Sequence, residues 1–85
     1  MPLTAPDWLT KHDGSLRLGV DGRSWFVCFA REPQYELTPV PVQGRHGVDI
    51  RQTINGRHME HGTAYATVDE ALRGGLETLR QKLGW

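Results

Sequence analysis

The sequence predicts an α+β domain: a four- or five-stranded antiparallel β-meander, one C-terminal helix packed across one face, and a short N-terminal helix. Three observations carry this expectation. Residues 67–83 hold one apolar stripe between a helix start signal and a helix stop signal. Residues 16–30 alternate about Asp21-Gly22, and residues 48–61 alternate about Asn55-Gly56. The whole chain, 1–85, is expected to form one small domain, with the first helix over 4–13 and the meander over 16–61.

Thr4-Ala5-Pro6-Asp7 has the form of a capping box, with Pro6 in the first turn, where a missing N–H does no harm. Trp8, Leu9 and His12 then share a face of a two-turn helix ending before Asp13-Gly14. So short a helix is unstable alone, so Trp8 and Leu9 must dock on the rest of the chain. It caps an end of the sheet or covers Phe26.

If Asp21-Gly22 is a two-residue hairpin loop, Val20 pairs with Arg23, Leu18 with Trp25 and Leu16 with Val27. Paired residues share a face. Leu16, Leu18, Val20, Trp25, Val27 and Phe29 then fall together, leaving Arg17, Gly19, Ser24, Phe26, Cys28 and Ala30 on the other side. Arg31-Glu32-Pro33-Gln34 is expected as the next turn.

Residues 35–42 are extended, but Pro39 and Pro41 cannot donate to a ladder, which predicts an edge strand. A loop over 43–47 follows. In the second hairpin a two-residue loop at Asn55-Gly56 pairs Ile54 with Arg57, Gln52 with Met59 and Arg51 with Glu60. Val48, Ile50, Ile54 and Met59 then face inward, and Asp49, Arg51, Thr53, His58 and Glu60 outward.

Thr67-Val68-Asp69-Glu70 is the capping box of the closing helix, and two acids lie at the positive end of its dipole. Val68, Leu72, Gly75, Leu76, Leu79 and Leu83 share one arc; Glu70, Arg73, Glu77 and Arg80 oppose it. Gly84 suits a left-handed cap, with Trp85 expected to fold onto Leu79. Gly75 on the apolar arc admits a close approach. Gly74 lies on the outer face, where packing within the chain offers no reason for it.

Net charge is zero and the isoelectric point about 6.9, which removes the broad electrostatic argument for nucleic acid or anionic membrane. One cysteine excludes an internal disulfide. The first residues lack a basic, then apolar, leader, and no run approaches the ~20 apolar residues of a membrane span. The expectation is a complete cytoplasmic chain.

His58, His61 and nearby His46 invite a metal reading. Residues three apart on a strand point to opposite faces, so His58 and His61 cannot chelate together there. Cys28 with a histidine would make a nucleophile pair; the competing reading is a small, half-buried strand residue. No phosphate loop, nucleophile elbow or helical zinc motif is present. The expectation is a chain without catalytic residues, cofactor or metal ligands.

Trp25 to Phe29 followed by Arg31-Glu32-Pro33, and later the run from Gly62 to Ala71, resembles the sheet-then-helix pattern of ethylene-response-factor and integrase arm-binding domains. In those families a three-stranded sheet enters the DNA major groove, with a C-terminal helix behind it. The resemblance covers about a quarter of the chain. The sequence departs by lacking an arginine-rich first strand and by inserting the proline strand, so no base-reading residue carries over.

Two partner classes follow. The leading expectation is a non-catalytic module that binds a protein, or a second copy, through the face away from the helix, with Phe26, Cys28, Val40 and Val42 as candidate interface residues. The alternative is nucleic-acid binding through the second hairpin and its loop, with Arg45, Arg51, Arg57 and His58 as candidate contacts.

Overall fold

The computed structural model describes residues 3–59 and 63–85. A short helix α1 (Asp7–Thr10) leads into five strands: β1 (Gly14–Leu18), β2 (Trp25–Phe29), β3 (Glu32–Val42), β4 (Arg45–Gln52) and β5 (His58–Met59). The helix α2 (Val68–Leu83) closes the chain. The strands form one antiparallel sheet in the order β1-β2-β3-β4-β5, the expected meander in its five-stranded form. Among the described residues, no helix is long and apolar enough to cross a membrane.

The helix ends follow their sequence signals. Thr67 Oγ1 accepts from the Glu70 amide at 3.1 Å, and Asp69 and Glu70 lie in the first turn. At the other end Gly84 takes φ 75°, and the Trp85 and Gly84 amides donate to the Arg80 and Gln81 carbonyls at 3.0 and 3.2 Å. That pair of bonds is a Schellman stop. Trp85, expected to fold onto Leu79, finds its ring partners on the N-terminal segment and β2. It stacks on His12 with ring centroids 3.7 Å apart and meets Phe29 edge-on at 5.4 Å. Trp8 lies beside it at 6.0 Å.

This aromatic clasp fixes the short helix on the same side of the sheet as α2. The first helix therefore caps an end and leaves Phe26 uncovered. It also starts later than the capping box suggests: Pro6 occupies the cap position without a side-chain bond, and only one turn follows.

The core lies between α2 and the inner sheet face. Val27, Leu37, Val48 and Ile50 from the strands meet Leu72, Leu76 and Leu79 from the helix, with Leu3 and Leu9 sealing the side. Gly75 permits this close approach, since a Cβ there would lie 2.8 Å from Val48 Cγ1. Gly74 also has a packing reason that the helical arc hides. A Cβ there would overlap the Tyr65 ring, with Cε1 at 2.7 Å, because the segment before α2 folds its tyrosine over the helix.

Both two-residue hairpin loops open to four residues. In the first, the Asp21 carboxylate accepts from the Arg23 and Ser24 amides, each at 2.9 Å, and from the Ser24 hydroxyl. The closing pair becomes Gly19 and Ser24. These bonds hold the Asp21 carboxyl below its ordinary range, the Ser24 amide first, then the Arg23 amide and the Ser24 hydroxyl. The register Leu18–Trp25 and Leu16–Val27 survives, but Val20 leaves the inner face for solvent.

In the second hairpin Asn55 Oδ1 accepts from the Arg57 amide at 2.9 Å, and Gln52 pairs with Arg57. The register becomes Ile50–Met59 and Arg51–His58, two residues from the expected one. A shift of two preserves the faces. Ile54, expected inward, sits exposed in the loop.

β3 is an edge strand only over its second half. It lies in the middle of the sheet, and the turn before it is Ala30-Arg31 rather than Arg31 to Gln34. The prolines are tolerated because β2 ends early. Trp25 pairs with Leu37, and no β2 residue continues alongside Pro39 and Pro41. Thr53 N–H donates to Gln34 O at 3.0 Å, so Glu36, Thr38, Val40 and Val42 bond toward β4 and the prolines face the empty side. The Pro39 carbonyl on that side accepts from the Arg23 guanidinium at 3.3 Å. One strand is thus central over its first half and an edge over its second.

Candidate interaction face

With both helices on the inner side, the outer face of the sheet carries no helix among the described residues. The registers place Arg17, Phe26, Glu36, Arg51 and His58 in one row across all five strands. Such directly opposed residues interact as cross-strand neighbours.

The row is a sequence of local pairings. The Arg17 guanidinium stands 6.0 Å from the Phe26 ring centroid, at the outer limit of a cation–π contact. Arg51 donates to Glu36 Oε1 through Nε at 3.0 Å and through a second, shorter bond from Nη2. His58 Nδ1 lies 2.8 Å from Asp49 Oδ2, which is two residues along β4 from Arg51 on the same face. Beside Phe26, the Ser24 and Thr38 hydroxyls are 3.2 Å apart and share a hydrogen bond.

The proposed apolar residues divide between two places. Phe26 is half-buried in this row. Val40 and Val42 are half-buried at the far end of β3, beside Gly47, whose missing side chain leaves room for Val42. Cys28 points to the same side but is only 2% exposed and is a free thiol, paired across the sheet with Ser15 and Pro33. A group that buried contributes to the shape beneath the face and offers a partner almost no area.

The four basic candidates are also separated. Arg51 and His58 are adjacent, and each is engaged by a carboxylate. Glu36 takes the place expected of Glu60, which lies outside the described residues. Arg45 and Arg57 are exposed at opposite ends of β4, where Arg57 pairs with Gln52. At about 3.3 Å per residue, the seven steps from Arg45 to Gln52 span roughly 23 Å.

Arg17, Glu36 and Asp49 are the face residues that residue-type reasoning passes over. Their signal was parity: each falls on the outward set of its strand. Finding Glu36 opposite Arg51 required the β3–β4 register, which is set by a two-residue turn at Gln43-Gly44, φ 49° and 76°, in place of the loop expected over 43–47.

On the inner side, a cleft of about 600 Å³ opens between the start of α2 and the first hairpin, lined by Leu3, Leu18, Trp25, Val68 and Leu72. Its polar rim is occupied internally: Asp69 pairs with Arg73 at 3.0 Å, and Arg23 is bonded to Pro39. Among the described residues no three His, Cys, Asp or Glu side chains gather as metal ligands would; His61 lies outside them. No family model matches the chain, and neither a curated protein nor a solved structure does.

Proposed function

We propose that this chain is a small non-catalytic binding module that docks a protein partner on the sheet face opposite α2. The observation that supports the reading is the sidedness of the fold: both helices cover one face, and the row from Arg17 to His58 crosses the other. Phe26 lies in that row between a cation and an anion, and Val40 and Val42 supply an apolar corner.

A protein surface carrying both signs of charge suits such a face. Arginine and aromatic residues are enriched in protein interfaces. Nucleic acid would need cations acting together on phosphates. Here Arg51 and His58 are engaged by Glu36 and Asp49, and Arg45 and Arg57 stand far apart.

Quantitative cross-linking with matched baits tests the reading. Phe26→Glu and Val40→Glu alter half-exposed side chains on the face, and Glu70→Arg alters the solvent side of α2. A partner captured by the wild type and by Glu70→Arg, but lost from both face variants at unchanged melting temperature, supports the module. A partner indifferent to Phe26→Glu and Val40→Glu sinks it. Binding to a mixed duplex at low salt that weakens with Arg45→Ala and Arg57→Ala would replace it with the nucleic-acid reading.

A further inference from the structure

Among the described residues, β1 forms the edge of the sheet with the longest run of unpaired backbone groups. Along β3, the stretch beyond β2 is closed to pairing by Pro39 and Pro41. Beyond β4, the described strand is only His58–Met59. β1 is longer and carries no proline: its five residues, Gly14-Ser15-Leu16-Arg17-Leu18, have no bulge and pair on one side only, with Leu9 of α1 packed on the inner face at Gly14. Native sheets normally blunt such an edge.

The pattern of its backbone groups follows from two bonds. Gly19 N–H donates to Ser24 O at 2.7 Å, and Ala30 N–H donates to Asp13 O at 3.2 Å. Asp13, Ser15, Arg17 and Gly19 therefore bond toward β2, and the amides and carbonyls of Gly14, Leu16 and Leu18 point away from the sheet. None of these groups has a hydrogen-bond partner among the described residues.

We propose that this edge pairs with the β1 of a second copy, antiparallel and centred on Leu16. In that register Leu16 faces Leu16 of the other copy, and Gly14 faces Leu18. All three outward-pointing residues then meet their counterparts and exchange bonds reciprocally. On the inner side the contact brings Leu18, which is 49% exposed, alongside Gly14, whose own inner face is already filled by Leu9 of α1. On the outer side each Arg17 opposes Ser15 of the other copy, so no like charges meet. The zero net charge sets no long-range repulsion between copies. An edge five residues long, about 17 Å, makes a small contact, so the association is weak and concentration-dependent. It does not depend on the outer-face reading.

Ser15 provides a test specific to the register, because it is exposed and the substitution leaves the core alone. Ser15→Glu creates two Glu–Arg17 pairs per dimer; Ser15→Arg creates two like-charge pairs. Sedimentation velocity over a concentration series is expected to show dimerisation tightened by the first and weakened by the second, each by about two- to thirty-fold.

Hydrogen exchange supplies the second readout, with the Leu16 and Leu18 amides gaining protection as concentration rises. Leu18→Pro removes one outward donor without touching the ladder to β2 and is expected to give a folded monomer. A monomer at every concentration, with Leu16 and Leu18 exchanging as fast as Val20, overturns the proposal. So does a dimer insensitive to both Ser15 variants but abolished by Phe26→Glu; that result would move self-association to the outer face.

Discussion

The turn between β2 and β3 carries a stability cost that two substitutions should remove. Phe29 pairs with Glu32, so Ala30 and Arg31 are the whole loop, with φ of 52° and 70°. A two-residue turn with both φ positive is the type I′ geometry, which matches the twist of the strands but favours Asn-Gly. A residue with a Cβ in the left-handed region costs roughly 1–2 kcal/mol. Glycine relieves that strain but loses about 0.5–1 kcal/mol of its own through a freer unfolded chain. The net gain per position is therefore about 0.5–1 kcal/mol, and Ala30→Asn with Arg31→Gly is expected to add about 1–2 kcal/mol together. For a domain of this size the melting temperature rises by roughly 4–16 °C. Urea unfolding should show a higher midpoint with an unchanged slope, since the surface exposed on unfolding is the same. A midpoint that stays put or falls would refute the reasoning. Either the turn is not left-handed at both residues, or the Arg31 side chain stabilises the fold in a way its exposed position does not suggest.

The two central helix glycines should respond differently to alanine. Gly75→Ala forces a Cβ against Val48, a buried β-branched side chain with nowhere to move; overpacking of about 1–3 kcal/mol outweighs a helix-propensity gain of ~1 kcal/mol, and the urea midpoint falls. Gly74→Ala displaces only a tyrosine ring, so on a Tyr65→Ala background it should stabilise by ~1 kcal/mol. The Asp21 carboxyl is held low by the Ser24 and Arg23 amides, so its contribution to stability is complete above the ordinary aspartate range and is lost as pH falls through its lower folded value. Carboxyl NMR should give a midpoint below 3.8, raised by Ser24→Ala, which removes one of the bonds. The Arg51–Glu36 pair is partly exposed, so a double-mutant cycle with Arg51→Ala and Glu36→Ala should give a coupling of about 1 kcal/mol or less in urea unfolding.

Where the sequence was a good guide, the deciding chemistry was local. The Thr67 cap, the Gly84 stop and the inner faces of both hairpins all depend on residues within a few positions of one another. The hairpin loops were misjudged for an equally local reason: Asp21 and Asn55 use their side chains to hold the following backbone, which widens a two-residue turn to four. Val20 and Ile54 paid for that error in the expected core. The remaining differences are long-range. Proline's ban on donating applies to a position, and β3 could be central because β2 stops before it reaches Pro39. Gly74 looked unexplained on a helical arc because Tyr65 reaches it from a different segment. On the candidate face, outward parity placed Phe26, Val40 and Val42 together with Arg51 and His58 on one side. It could not foresee that Cys28 would be buried or that Glu36 would neutralise Arg51.

The two prolines of β3 set a limit on how large any assembly built from these sheets can grow. A sheet with two open margins can add copies at each and propagate as a filament. Here the long strand that would offer a further margin has donor-free positions at Pro39 and Pro41, and the described strand on the far side is two residues long. A reciprocal β1 contact uses the same margin of both molecules, so it closes after one addition. Under the proposed β1 pairing growth would end at a pair, and replacing Pro39 and Pro41 with residues that have an N–H would remove that stop.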